Sequence, residues 1–488
     1  MYLKKEPRLT PKLEAFQYQN EAVAAIRDLP FGAIFHEQGL GKSKIAIDII
    51  LYWLETKAID TVILVAKKGL VDNWKRELNA HSYLSPRVLS SNRNENFHVL
   101  NSPARLILTH YEVIRLEQNR LKMFLKTRKV AVILDESTKI KNPDSELAQA
   151  FFNLSPLFAR RIILTGTPVA NRPYDLWAQI FFLDQGNALG KTFQEFKREL
   201  DLTNELAHDE HAQEKFEDSL ISLHRKISSF TVRENKSSKF IQLPEKTIQA
   251  IWIDWEPVQH DLYTQYRDTL GAIVVREGIP TEDRADDLLK RLLRLVQIAS
   301  NPYLVDKSYG RNPGKWTYLL ELLEQIRGQQ EKAIVWTSFT ENADWLAGRL
   351  RHMGAVVDHG KMSIEERNRS VRKFLELEEC KVFVATPGAA KEGLTLTVAN
   401  HVIFFDRSFS LDDYLQAQDR IHRVSQTRQC YVYNLMMQDS VDGWIDVLLH
   451  AKRLAAQLAQ GDISHEYYRS QISYSFGDVL KGILNVST

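Results

Sequence analysis

Two short clusters in this chain carry residue types suited to handling a phosphate chain. Gly39-Leu40-Gly41-Lys42-Ser43 follows the apolar run Ala33-Ile34-Phe35 and opens a helical pattern from Lys42 to Leu54. Glycines 39 and 41 let the backbone approach phosphate oxygens, and a helix N-terminus presents unpaired N–H groups to them. Lys42 is placed to reach the β and γ phosphates, and the Ser43 hydroxyl to bind Mg²⁺. The full phosphate-loop pattern has a glycine where this chain has His36, so the match is partial. A glycine turn before a surface helix is the bland alternative. The second cluster, QAQDRIHRVSQ from Gln416 to Gln426, sets Arg420 and Arg423 three apart on a predicted helix. Guanidinium groups so placed can neutralise a phosphoryl group in transfer. A solvated basic face explains the same spacing, and His422 reads as a packing or network residue.

Three further groups fit the same chemistry. Asp135-Glu136 ends the run VAVIL, where Asp135 could hold Mg²⁺ through water and Glu136 could polarise an attacking water. A helix-start carboxylate pair is the alternative. Thr165-Gly166-Thr167-Pro168 follows the next strand and is either a relay from the γ-phosphate position or simply a good turn. Gln19, in FQYQ, can read an adenine edge through a bidentate hydrogen bond, and Tyr18 beside it is either a stacking ring or a core aromatic.

The elements that must position these groups are short apolar strands. In the first half they are predicted at 33–35, 61–66, 105–109, 130–134 and 161–165. In the second half they are predicted at 333–337, 355–357, 381–385, 401–405 and 429–434. Continuous Val/Ile/Leu runs suit strands buried on both faces of a parallel sheet, and their alternation with helical patterns gives doubly wound α/β lobes. Ligands of such sheets sit beyond the carboxyl ends of the strands, where every group above falls except Gln19, which lies just before the first strand. The division expected is a first lobe at 1–189, a helical protrusion and linker at 190–245, a helical protrusion of the second lobe at 246–312, a second lobe at 313–450, and a C-terminal helix and tail at 451–488.

Across 488 residues, 64 Lys+Arg oppose 62 Asp+Glu, so a nucleic-acid surface must be a local patch. The two cysteines, Cys380 and Cys430, form no zinc pattern or disulfide framework and suit a reducing compartment. No apolar run reaches membrane-spanning length, and the polar start MYLKKEPRLT lacks a signal-peptide pattern.

In order, FQYQ, HEQGLGKS, LVAKKGLVDNWKREL, LTHYEVIR, LDESTKIKN, LTGTPVANRPYDLW, LPEK, ASNPYL, GKWTYLLELL, IVWTSFT, GLTLT and QAQDRIHRVSQ resemble the motif series of Swi/Snf-like ATPases of helicase superfamily two. The resemblance runs from about residue 13 to 446. It implies two RecA-like lobes with helical protrusions at the hinge, ATP and Mg²⁺ as cofactors, and sequence-nonspecific double-stranded DNA as partner, with a DNA-bound protein or larger complex as a further partner. It implies that Gln19 contacts adenine and that Gly39, Gly41, Lys42 and Ser43 hold phosphates and Mg²⁺. Asp135 and Glu136 are then the metal and water-activating acids, and Gln416, Arg420 and Arg423 complete the site. It puts DNA-backbone contacts near Lys67-Lys68, Thr109 to Tyr111, Ser338-Phe339 and Thr386 to Thr395. Three stretches depart from the pattern. Ser137-Thr138 stand where the family has Ala or Gly and then His, the stretch 386–393 is looser than usual, and Asp406 to Ser410 lacks the Trp-Asn-Pro.

The expected function is an ATP-dependent double-stranded-DNA translocase, a minimal motor without accessory reader modules and without a membrane partner. The expected location is the cytoplasm of a prokaryotic or viral host, or the nucleus of a eukaryote. Two alternatives stay open: a strand-separating or annealing helicase on forks or RNA, and an ATP-gated DNA-binding scaffold without steady turnover.

Overall fold

The computed structural model describes residues 7–169, 171–200, 210–236, 243–277, 292–389 and 395–471, without the side chains of 210–213 and 271–277. The middle of the expected contact stretch Thr386 to Thr395, residues 390–394, lies outside the described residues, as does the tail from 472. So do parts of both expected protrusions, at 201–209, 237–242 and 278–291.

The first sheet has seven strands: β1 (Phe31–Ile34), β2 (Thr61–Ala66), β3 (Arg87–Val88), β4 (Leu106–His110), β5 (Val130–Asp135), β6 (Arg160–Leu164) and β7 (Thr231–Val232). Their order is β3-β4-β2-β5-β6-β1-β7, and every neighbouring pair is parallel. The second sheet has six: β8 (Lys246–Ile253), β9 (Ala333–Trp336), β10 (Val356–Asp358), β11 (Val382–Ala385), β12 (His401–Phe404) and β13 (Cys430–Met437). Their order is β10-β11-β9-β12-β13-β8, again all parallel. Each sheet thus directs all its strand ends, and the loops after them, to one edge.

The central strands form where apolar side chains can be buried on both faces. All six residues of β2 are buried, as are Val130 to Leu134 of β5 and all of β9, β11 and β12. Helix α1 (Gln17–Ile26) and helix α2 (Lys42–Glu55) pack on the first sheet together with helix α3 (Val71–His81). Ten of the fourteen residues of α2 are buried, so it is an interior helix.

The chain forms two compact units. One holds the first sheet and comprises the described residues of Met1–Asp201, Lys215–Gln242 and Ala456–Ser464. The other holds the second sheet, within Leu243–Ala455.

Three sequence readings differ from the structure. The connector LPEK runs directly into β8, so the second sheet begins at Lys246, where the pattern predicts a helical protrusion. β8 is an edge strand whose side chains stay largely exposed, which removes the apolar signature. The predicted linker contributes β7 to the first sheet, paired with Ala33 and Ile34. Arg420 and Arg423 are not on a helix: it ends at Gln418, and 419–425 is a run of turns and bends. The buried Gln426 amide takes over bonds a helix would have made, donating to the carbonyls of Ile421 and Ala399 at 3.2 and 2.9 Å.

Candidate nucleotide and nucleic-acid site

β1 delivers the chain into the glycine loop. Gly39 and Gly41 sit at φ 86° and 70°, and Gly41 packs so closely on Gln19 that a Cβ there would fall 2.3 Å from the Gln19 Nε2. Both left-handed geometry and space therefore require glycine at 41. Gln19 also caps its own helix, its Oε1 accepting from the Phe16 N–H at 3.0 Å. The buried Tyr18 donates its hydroxyl to the Leu40 carbonyl at 3.2 Å. FQYQ thus supports the loop from below.

Lys42, 9% exposed, donates from Nζ to the carbonyls of His36 and Glu37 at 2.8 and 3.1 Å. These carbonyls hold the ammonium at the mouth of the loop. His36 stands at the missing glycine, buried, with its ring 6.0 Å from that of Tyr18. Burial first, and the Lys42 charge second, lower its pKa to about 3, so it is a neutral packing group.

β5 ends in the acid pair. Asp135 accepts from the Trp74 indole N–H at 2.7 Å. Its pKa is pushed up to about 6, by burial first and then by the Glu136 charge, while the Trp74 hydrogen bond, Lys42 and Lys67 oppose the shift. Glu136 holds φ 53° and accepts at Oε1 from the Gln38 amide at 3.0 Å, which joins the glycine loop to the acid pair. The turn Thr165 to Pro168 closes the group. A Cβ on Gly166 would lie 2.8 Å from the Gln38 Cγ. Ser137 donates to the Gln179 Oε1 at 2.7 Å, and Gln179 donates to the Pro168 carbonyl at 3.2 Å.

Lysine, serine hydroxyl and carboxylate oxygens make a hard donor set that fits a nucleotide triphosphate with Mg²⁺. Among the described residues no three His, Cys, Asp or Glu cluster as a metal cage. Gln19, Gly39, Gly41, Lys42, Ser43, Asp135 and Glu136 all belong to the first unit.

The expected nucleic-acid residues divide. Lys68 is exposed and Lys67 half-buried, both just after β2. Thr109 and Tyr111, near which the resemblance puts backbone contacts, have fully buried side chains. The Thr109 hydroxyl donates to the Leu89 carbonyl at 3.2 Å and the Tyr111 hydroxyl to the Asp135 carbonyl at 2.7 Å. In the second unit, the Ser338 N–H donates to Asp406 at 2.7 Å, and Phe339 follows it half-buried. Asp406 also accepts from the hydroxyls of Ser300 and Thr337, so a buried carboxylate fixes this loop. Thr386 is buried after β11. Thr395 is exposed and accepts from Arg423 Nη1 at 2.8 Å, while Arg423 Nε donates to the Asp419 carbonyl at 2.9 Å. Arg420 and Gln416 are buried, and Gln416 donates to Asp412 at 2.7 Å. Sequence reasoning missed Gln38, Trp74, Gln179 and Asp406. Trp74 left a trace as a tryptophan in the first turn of a helix just after two lysines, and Asp406 as the first residue of a stretch that departs from the family pattern.

The SNF2-related domain family matches residues 18–304, and the helicase conserved C-terminal domain matches 314–425. An uncharacterized ATP-dependent helicase of Mycoplasma genitalium is 28% identical over 440 residues, which are 87% of this chain and 40% of that protein. The ISWI chromatin-remodeling complex ATPase ISW2 of Saccharomyces cerevisiae is 25% identical over 461 residues, 88% of this chain and 39% of that protein. The chain thus spans well under half the length of these relatives. A solved SWI2/SNF2 ATPase core of Sulfolobus solfataricus, in complex with double-stranded DNA, aligns with 97% of this chain and all of its own at a TM-score of 0.43 and 25% identity. With the SNF2-related match alone covering more than half of its residues, the chain belongs to the SNF2-related family.

Proposed function

We propose that this chain is an ATP-dependent translocase on double-stranded DNA that displaces or remodels what is bound there. The observation that carries the reading is the bridge from Gln38 to the buried Glu136, which puts a glycine loop and an acid pair within one hydrogen bond of each other. Membership of the SNF2-related family, and relatives named for ATP-dependent activity, support the ATP side of it. The basic turn Lys67-Lys68, on the same sheet edge, supports the nucleic-acid side.

In this reading Lys42 exchanges its two carbonyl acceptors for phosphate oxygens. Glu136, aligned by Gln38, orients a water and receives its proton. Ser43 and Asp135 would hold Mg²⁺, which would supply charge neutralisation to the phosphates. Arg420 and Arg423 neutralise the phosphoryl group in transfer. Lys67 and Lys68 contact backbone phosphates, so binding discriminates poorly between sequences and weakens steeply with salt.

The deciding measurement is ATP hydrolysis without nucleic acid and with duplex DNA, single strands, a fork and RNA. Duplex DNA should stimulate several-fold or more, and Lys42→Ala and Glu136→Gln should abolish turnover. Stimulation by RNA alone would overturn the substrate assignment.

A further inference from the structure

The indole of Trp74 is 1% exposed and lies in the apolar core beside α2, yet its N–H is directed at a carboxylate rather than a backbone carbonyl. A buried indole N–H needs an acceptor, and this core offers it the Asp135 Oδ2 at 2.7 Å. Tyr111 holds the same residue from the other side, through the Asp135 carbonyl at 2.7 Å. Side chain and backbone of the acid are therefore each fixed by a buried aromatic donor. Both donors stand at the start of helices that follow strands next in line from β5, Trp74 after β2 and Tyr111 after β4.

Trp74 has a second connection. It is the fourth residue of α3, which continues without a break from the turn Lys68–Leu70. That turn is closed by the Leu70 N–H donating to the Lys67 carbonyl at 2.8 Å. Leu70 and Leu78 are buried on the same helical face as Trp74, so the turn and the first turns of α3 are packed as one piece. A shift of the basic turn displaces the indole, and with it the donor on Asp135. The hydroxyl of Ser137, which follows the acid pair, is committed to Gln179 and leaves this link to α3.

We propose that Trp74 is a positioning residue that sets the Asp135 carboxylate for its Mg²⁺ and transmits to it the occupancy of the basic turn Lys67-Lys68 by a nucleic-acid backbone. The proposal rests on the functional reading above. It makes α3 a lever inside the first unit, with phosphate contacts just before its start and a hydrogen bond to the metal acid from its first turn.

The test uses the whole chain and Trp74→Phe, which keeps a buried ring and removes the N–H. Trp53→Phe is the matched control, since Trp53 is equally buried in the same core but donates to the Arg27 carbonyl. Binding of a fluorescent N-methylanthraniloyl ATP is titrated with Mg²⁺, with and without a short blunt DNA duplex, alongside thermal melts and duplex-stimulated hydrolysis. In the wild type the duplex should lower the Mg²⁺ half-saturation point. Trp74→Phe should raise that point about ten- to a hundredfold, the usual effect of losing a partner behind a metal ligand. It should also abolish the response to duplex while duplex affinity measured without Mg²⁺ stays unchanged. Trp53→Phe should lower the melting temperature and leave the Mg²⁺ point in place. An unchanged Mg²⁺ point in Trp74→Phe, or an equal shift in Trp53→Phe, overturns the proposal. If wild-type hydrolysis ignores duplex while Trp74→Phe still raises the Mg²⁺ point, the DNA reading and the lever fail and only the positioning of Asp135 survives.

Discussion

Glu136 holds a left-handed backbone at φ 53°, a conformation that destabilises a non-glycine residue by roughly 1–3 kcal/mol. It persists because the strand before it and the turn Ser137–Ile140 after it are both fixed. The strain aims the carboxylate at Gln38. Arg423 is held differently, by a backbone carbonyl and a threonine hydroxyl. Arg423→Ala should lower the hydrolysis rate by about 10³-fold or more while nucleotide binding, followed by fluorescence, is retained. His36 gives a pH prediction. Folded, its pKa is about 3, whereas the unfolded chain takes up that proton near the ordinary value of 6.5. The unfolded state therefore binds more protons between these values. The contribution of His36 is complete above pH 6.5 and is lost as pH falls toward 3, by up to about 1.4 kcal/mol per pH unit. His36→Asn should flatten this acid limb relative to wild type in melts between pH 7 and 4 (buffer values of the experiment, on the order of the two pKa values). Parallel curves would show that the imidazole is not the source.

At the scale of elements, the central strands carry the stability and the loops at their ends carry the chemistry. Ile63 is fully buried in the middle of β2, between β4 and β5. Ile63→Ala should destabilise the first unit by about 2–5 kcal/mol in denaturant unfolding, since a packed sheet cannot close the cavity. A change under about 1 kcal/mol would mean that the site relaxes. The elements also separate what was legible in sequence from what was not. TVILVA and VAVIL announce themselves because both faces of β2 and β5 are covered, leaving no polar alternation. KTIQAIWI does not, because β8 is an edge strand with Ile248 and Trp252 exposed at 42% and 48%. β3 and β7 are two residues each and carry no pattern at all. The spacing of Arg420 and Arg423 suggests a helix, yet the Leu396 N–H captures the Arg420 carbonyl at 3.1 Å and the Gln426 amide captures that of Ile421.

At the scale of the molecule, the chain returns to its first unit after completing the second sheet. Residues 456–464 are anchored there by Asp462, which takes the Arg233 guanidinium at 3.0 and 2.7 Å. Arg233 also donates to the carbonyl of Phe35, the residue before His36, so the anchor meets the root of the phosphate loop. Asp462→Asn should destabilise the first unit by about 1.5–3 kcal/mol, the range for hydrogen bonds to charged groups. It should also raise the KM for ATP more than it lowers kcat. Unaltered melting and kinetics would reduce the anchor to a surface contact.

The sequence by itself determined which residue types stand after the strands and what supports them locally. Glycine, lysine, hydroxyl and carboxylate types at fixed spacing, each after a doubly buried strand, follow from covalent neighbours and hydrophobic burial, which a linear pattern records. Tertiary structure alone decided which donors meet which acceptors across the sheet. Trp74 and Tyr111 are core aromatics, but burial obliges each polar atom to find a partner, and the strand order made Asp135 that partner. Thr109 was likewise turned inward, because the short strand β3 lies beside β4 and leaves the Leu89 carbonyl within its reach.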